Sequence, residues 1–167
     1  MMGGVPGAVT SRDRVRGFLD AARECPGIRI LETPPGDYQE AIARRVMASF
    51  LAATPRVDGV LSANDVMSLG ILSALEAAGR RAPVIGVNAL PEAIAAIKSG
   101  RLLATVDFDA MKIGGIATEA AIRHLRGESV PEEIILPVQI VDRSNFAPWD
   151  RPLERRQCPA WSELVGI

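Results

Sequence analysis

Val57 to Gly79 reads VDGVLSANDVMSLGILSALEAAG, and the fold follows from its three parts. Val57–Leu61 is a short apolar run suited to a strand. Ser62–Asp65 is a polar turn, and the rest is a helix stopped by Gly79. Val66, Leu69, Leu72, Leu75 and Ala78 recur at three-residue steps, close enough to the helical period to predict one buried stripe. Asp65 is placed to cap the helix, its carboxylate accepting from free N–H groups of the first turn. Asn64 then falls just past the carboxyl end of a strand, where open α/β sheets hold their ligands. Its amide both donates and accepts, which suits a hydroxyl-rich molecule. Shaping the turn is the alternative role for the same side chain.

The same alternation extends in both directions. Ser11 is positioned to cap a helix over SRDRVRGFLDAAREC, closed by Pro26-Gly27. Ile28–Leu31 reads as a strand, and a helix follows from Tyr38 to Ala53, ended by Thr54-Pro55. Beyond Gly79 come a strand at Val84–Val87, a helix from Pro91 to Ser99, a strand at Leu102–Val106 and a helix from Asp109 to Arg126. Glu133–Val141 reads as a long last strand, with Pro137 favouring an edge or a bend. Strands written as apolar runs between helices predict an α/β fold with a mainly parallel sheet. From Asp142 the chain becomes a proline-containing tail with Trp149 and Trp161 as surface anchors.

Composition excludes several classes. Nineteen Lys plus Arg against 20 Asp plus Glu offer no net charge for nucleic acid or an anionic membrane. No apolar run approaches the ~18 residues of a membrane span. Met1–Val9 lacks the basic segment and long apolar core of a secretory signal. Cys25 and Cys158 match no metal or redox spacing, and a bridge between them is left open. His124 stands alone near a helix end, where its charge would suit the helix dipole. Asp107 and Asp109 lack a general-base partner or a phosphate cradle. The chain therefore reads as a binder: no catalytic residue, metal site or cofactor is expected.

Five segments carry a resemblance: SRDRVRGFLDA (Ser11–Ala21), PPGDYQEA (Pro34–Ala41), LSANDVMSLGILSALEAAG (Leu61–Gly79), VIGVNALPEAIAAIKSGRLLATV (Val84–Val106) and RHLRGESVPEEIILP (Arg123–Pro137). In order and spacing they resemble the carboxyl-terminal half of sugar-binding proteins of bacterial ABC transporters, of the ribose-binding periplasmic type. The similarity runs from about Gly7 to Asn145. The W-D-x-P-L-E-x-R-x-C-P-x-W tail looks like an extension carried by some members. Gene regulators of the LacI type share the ligand-binding fold, so an effector-binding lobe of a regulator is the alternative.

The resemblance implies a three-layer, Rossmann-like carboxyl-terminal lobe of the type I periplasmic binding protein fold, with the amino-terminal lobe missing. Residues 1–107 and 137–145 would form the lobe, 108–136 a hinge crossing plus a helix that packs in the other lobe, and 146–167 the tail. It also implies a site. Arg14 corresponds to an arginine that reaches sugar oxygens, Tyr38 to an aromatic packed on the sugar, and Asn64 to a hydroxyl-binding amide. Asn88 stands where many relatives have aspartate, losing a charge-assisted hydrogen bond. Phe108 stands where ribose binders use glutamine, which replaces a polar contact with an apolar wall. Core packing is the other reading of Phe108, and a surface role that of Arg14 and Tyr38. The ligand implied is a sugar or related polyol, with a deoxy sugar, a differently substituted polyol or another small polar ligand ranked at least level with ribose. The implied partners are the permease subunits, in the periplasm, for the full-length form.

A lobe alone has consequences. The helix 109–126 would expose its apolar stripe (Ile113, Ile116, Ala117, Ala120, Ala121, Leu125), which predicts a homodimer, a swapped arrangement or a disordered helix. If an intact protein binds at micromolar level, roughly 8 kcal/mol, half of the contacts leave about millimolar affinity.

Overall fold

The computed structural model describes residues 1–152, 155–156 and 160–164. Three strands, β1 (Val60–Leu61), β2 (Val84–Val87) and β3 (Ala104–Asp107), pair in parallel and in sequence order. β4 (Gln139–Asp142) closes the sheet antiparallel to β3, with Thr105 opposite Val141. Parallel neighbours need crossovers, and here these are helices: α3 (Asp65–Ala77) between β1 and β2, and α4 (Pro91–Lys98) between β2 and β3. The α/β class and the mainly parallel sheet match the sequence reading.

The amino-terminal residues extend the sheet on its other edge. Met2 bridges Ser62 in parallel, donating to Leu61 O at 2.9 Å and accepting from Ala63 N at 3.0 Å. Met2 is fully buried. Residues 28–36 run beside this segment, with Thr33 N donating to Met1 O and Gly36 N to Gly3 O. The strand expected at Ile28–Leu31 is therefore an extended edge without a regular ladder.

α3 packs on β2 and touches α2 (Glu40–Ala53) and α4, so these helices form one layer over the sheet. Met47, Leu51, Met67, Ile71, Leu72, Leu75, Ile94 and Ile97 bury against Val60, Val84 and Val141. α1 (Val9–Arg23) lies outside this layer and buries only Ser11. Ser11 does not cap α1, which begins two residues earlier; its hydroxyl accepts from Gly4 N at 2.9 Å and ties the helix to the first edge segment.

Other expectations are corrected. The three-residue stripe on α3 captures only Leu72 and Leu75 as buried, because the helix is enclosed by both the sheet and α2; Met67, Ser68, Gly70, Ile71 and Ala74 are buried as well. The strand at Val57–Leu61 shortens to its last two residues, and the long strand from Glu133 shortens to Gln139–Asp142. Residues 133–138 have no strand beside them among the described residues, so their apolar side chains stay largely open.

α5 (Ala110–Leu125) forms as expected but stands apart, with only Ile116 buried. Leu125 is 84% exposed and Ile135 80%. The tail is anchored: Trp149 packs on the core, and Trp161, in the short α6 (Trp161–Leu164), is buried with Arg123 4.9 Å from its ring. Cys25 is free and exposed. Cys158, and with it the bridge left open above, lies outside the described residues.

Candidate functional site

Each parallel strand ends in a polar turn, and the turns share one end of the sheet. After β1, Asn64 caps α3, its Oδ1 accepting from Met67 N at 2.9 Å. The cap expected of Asp65 thus belongs to its neighbour. An N-cap residue is extended, and Asn64 has φ −157°, whereas Asp65 is already in the helix. The Asn64 amide nitrogen makes no hydrogen bond within the described residues, so both sequence-derived roles are available to one side chain.

Asp65 instead turns inward and is fully buried. Oδ1 accepts from Thr105 Oγ1 at 2.7 Å and Oδ2 from Leu90 N at 3.0 Å. Gly86 makes this possible: a Cβ there would overlap Asp65 Oδ1 and Ser68 Oγ. Burial pushes the Asp65 carboxyl above the ordinary range, and the bonds from Thr105, Leu90 and Ala89 and the charge of Arg14 pull it partly back. One carboxylate therefore links the turns after β1 and β2 to β3.

Arg14 arrives from α1. Its Nη1 donates to Ala63 O at 2.7 Å, and its guanidinium lies 5.3 Å from the centre of the Phe108 ring, within cation–π range. Arg14, the Asn64 turn and Phe108 are thereby brought together. After β2, Asn88 and Ala89 both have positive φ, 127° and 52°. Asn88 N donates to Val106 O at 2.8 Å, while its Oδ1 is buried without a partner among the described residues. Asn88 and Phe108 line one open groove of about 540 Å³.

Tyr38 sits differently. Asp37 and Tyr38 have φ of 52° and 59°, and the ring is laid across Gly4, where a Cβ would overlap it. Its hydroxyl shares a hydrogen bond with Thr10 at 3.1 Å, near the start of α1. No hydrogen bond joins Tyr38 to Phe108 or Asn88 among the described residues. Non-glycine residues with positive φ are costly and gather at functional sites. Here they are Asp37, Tyr38, Asn88, Ala89 and Asp109, all at these turns.

Three residues of the region escaped the sequence reading of the site. Asp107 Oδ1 accepts from Asp109 N and Oδ2 from Trp149 Nε1, both at 2.7 Å. Arg156 Nη1 donates to Ala89 O and Nη2 to Trp149 O, both at 2.9 Å. No local pattern signals pairings across 42 and 67 residues. Among the described residues no group of three or more His, Cys, Asp or Glu could hold a metal ion.

The arrangement offers donors, an acceptor and an aromatic ring to a small polar molecule, without a nucleophile and base in register. The comparisons agree with a binding fold. A ribose import binding protein of Bacillus subtilis is 34% identical over 137 residues, 82% of this chain and 44% of that protein. A solute-binding protein of an ABC transporter from Actinobacillus succinogenes, solved with D-allose, superposes with TM-score 0.84 at 29% identity, over 87% of this chain and 51% of that one. One from Bacillus halodurans, solved with myo-inositol, gives 0.83 at 29% identity over 89% and 52%. The chain thus spans about half the length of the relatives it matches. The profile of the periplasmic binding protein domain matches residues 1–129, and the chain belongs to that family.

Proposed function

We propose that this chain is the carboxyl-terminal lobe of a sugar- or polyol-binding protein that delivers its ligand to an ABC permease from the periplasm. The observation that carries the reading is the convergence of Arg14, the Asn64 amide, Asn88 Oδ1 and Phe108 at the carboxyl ends of parallel strands. The Asn64 nitrogen and the Arg14 guanidinium donate to ligand oxygens, Asn88 Oδ1 accepts from a hydroxyl, and the Phe108 ring covers an apolar patch of the ligand. Tyr38 bounds the site on the α1 side. The names of the relatives, which include ribose, allose and inositol binders, support the ligand class.

α5 and residues 130–136 form an apolar groove lined by Ile113, Ile116, Ile134 and Leu136. This face is where a second lobe packs in the full-length protein, so that closure of the two lobes traps the ligand. Residues 1–107 and 137–145 then act as one lobe and 108–136 as the crossing.

Thermal unfolding in a panel of ribose, allose, myo-inositol and glycerol at 10 mM tests this. With Kd near 1 mM, linkage adds about 1.4 kcal/mol, or roughly 3–5 °C in Tm for a chain of this size. A rise confined to one ligand class, and absent from Asn64→Ala, is expected. Equal melting in every ligand would overturn the proposal for this chain.

A further inference from the structure

The carboxyl-terminal tail returns to the strand ends rather than leaving them. Phe146 and Trp149 pack on the core, Trp149 bonds Asp107, and Lys98 Nζ meets Asp150 at 2.6 Å. Arg156 is then fixed on both sides, by Ala89 O and Trp149 O. Arg151, Arg155 and Arg156 thereby line the same groove as Asn88, Phe108 and Lys112.

Two features of this groove point to a ligand. First, among the described residues the buried side-chain polar atoms without a partner are Asn88 Oδ1 and Arg156 Nε, and both residues line it. One accepts and the other donates, the two capacities that a hydroxyl combines. Buried groups of this kind are otherwise satisfied, and an exception calls for an explanation such as a bound molecule.

Second, among the described residues the positive charge is not neutralised. Asp109 is committed to Lys112, whose Nζ lies 2.8 Å away, and to capping α5. Asp107 is taken up by Trp149 Nε1 and Asp109 N. Arg151, Arg155 and Arg156 have no carboxylate partner among the described residues. A guanidinium fork matches a carboxylate in two parallel hydrogen bonds, which a neutral sugar cannot supply.

We propose that the tail builds a specificity subsite with Asn88, and that the subsite takes a sugar acid: a polyhydroxylated ligand whose hydroxyl lies between Asn88 Oδ1 and Arg156 Nε and whose carboxylate faces the tail arginines. This rests on the reading of the strand ends as a polyol site. Arg14, Asn64 and Phe108 hold the polyol body, and the tail selects the charged end.

Titrations of the ¹⁵N-labelled chain with D-gluconate, myo-inositol and sodium sulfate, followed by NMR, test the proposal. Gluconate is expected to move the Asn88 side-chain amide and Arg156 Nε resonances and to bind about tenfold tighter than inositol. Arg156→Lys keeps the charge but loses the fork and Nε, and should bring that ratio close to one. The pair Arg151→Gln and Arg155→Gln removes no side-chain hydrogen bond or ion pair among the described residues and should lower the ratio severalfold at unchanged Tm. Equal binding of gluconate and inositol, or a ratio untouched by all of these variants, overturns the sugar-acid subsite while leaving the polyol site standing. Sulfate producing the same shifts at the same affinity overturns it too, since hydroxyls would then be irrelevant. No response to either polyol at Arg14, Asn64 or Asn88 overturns both readings together.

Discussion

Thr105 Oγ1 donates to Asp65 Oδ1 at 2.7 Å, joining β3 to the first turn of α3 across the intervening strand β2. The same hydroxyl accepts from Ala89 N at 3.2 Å, so it also holds the positive-φ turn that carries Asn88. Thr105→Val keeps the shape but takes one acceptor from the Ala89 N–H and one donor from a buried carboxylate. A loss of about 2–3 kcal/mol is expected, whereas Thr105→Ser should cost less than about 1 kcal/mol. Urea unfolding of the two variants gives the comparison, and equal costs would show that the methyl group, not the hydroxyl, matters.

Asp65 also sets a pH dependence. Its carboxyl is raised by burial, so the folded chain holds the proton more tightly than the unfolded chain does. Stability due to this group is therefore greatest below the ordinary aspartate range and is lost as pH rises through the raised folded value. Removing the Thr105 bond lifts that value further, since the bond favours the charged form. In Thr105→Val the loss should extend to higher pH than in the parent. Unfolding free energies measured from about pH 4 to pH 8 in both proteins decide this, and coincident slopes would mean that the bond does not act on Asp65.

Asn64 has two jobs that substitutions can separate. Asn64→Ala removes the α3 cap and should cost about 1 kcal/mol. Asn64→Ser restores a capping oxygen but not the amide N–H₂, so stability should stay within a few tenths of a kcal/mol of the parent. Ligand affinity should still fall roughly fivefold to tenfold, the worth of about one hydrogen bond. Titration calorimetry beside thermal unfolding reads both. A Ser variant that binds like the parent would leave Asn64 as a turn former only.

Where local chemistry decides the outcome, the sequence was readable. Gly79 and Gly100 stop their helices with φ of 62° and 77°, as expected, and α5 begins beside Asp109, where the helix was read. Asn64 is legible from strand–turn–helix punctuation, whereas Arg14, Tyr38, Asn88 and Phe108 enter only through the resemblance. What was not readable depends on distant partners. Whether Asn64 or Asp65 caps α3 is settled by Thr105 and Leu90, which draw Asp65 inward from 40 and 25 residues away. The tail gave up its tryptophan anchors to inspection but not Arg156, because a guanidinium bonded to two carbonyls leaves no composition signal. The last strand was read too long for the opposite reason. Its apolar run from Ile134 to Leu136 pairs with no strand among the described residues.

That unpartnered run yields the remaining prediction. Leu125 and Ile135 are largely exposed, and Ile113 and Ile122 add to the same apolar region of α5. A patch of this kind favours association in water. Light scattering of the isolated chain should give a molar mass that climbs toward twice that of one chain as concentration rises. Ile113→Glu with Leu125→Glu should return it to one chain without loss of helical signal, because neither side chain is buried in the fold. In a two-lobe protein the same pair should instead destabilise, since there the charges would be driven into an interface between lobes. A chain that stays single at every concentration would show that this face needs no cover, and would count against assigning residues 108–136 to a second lobe.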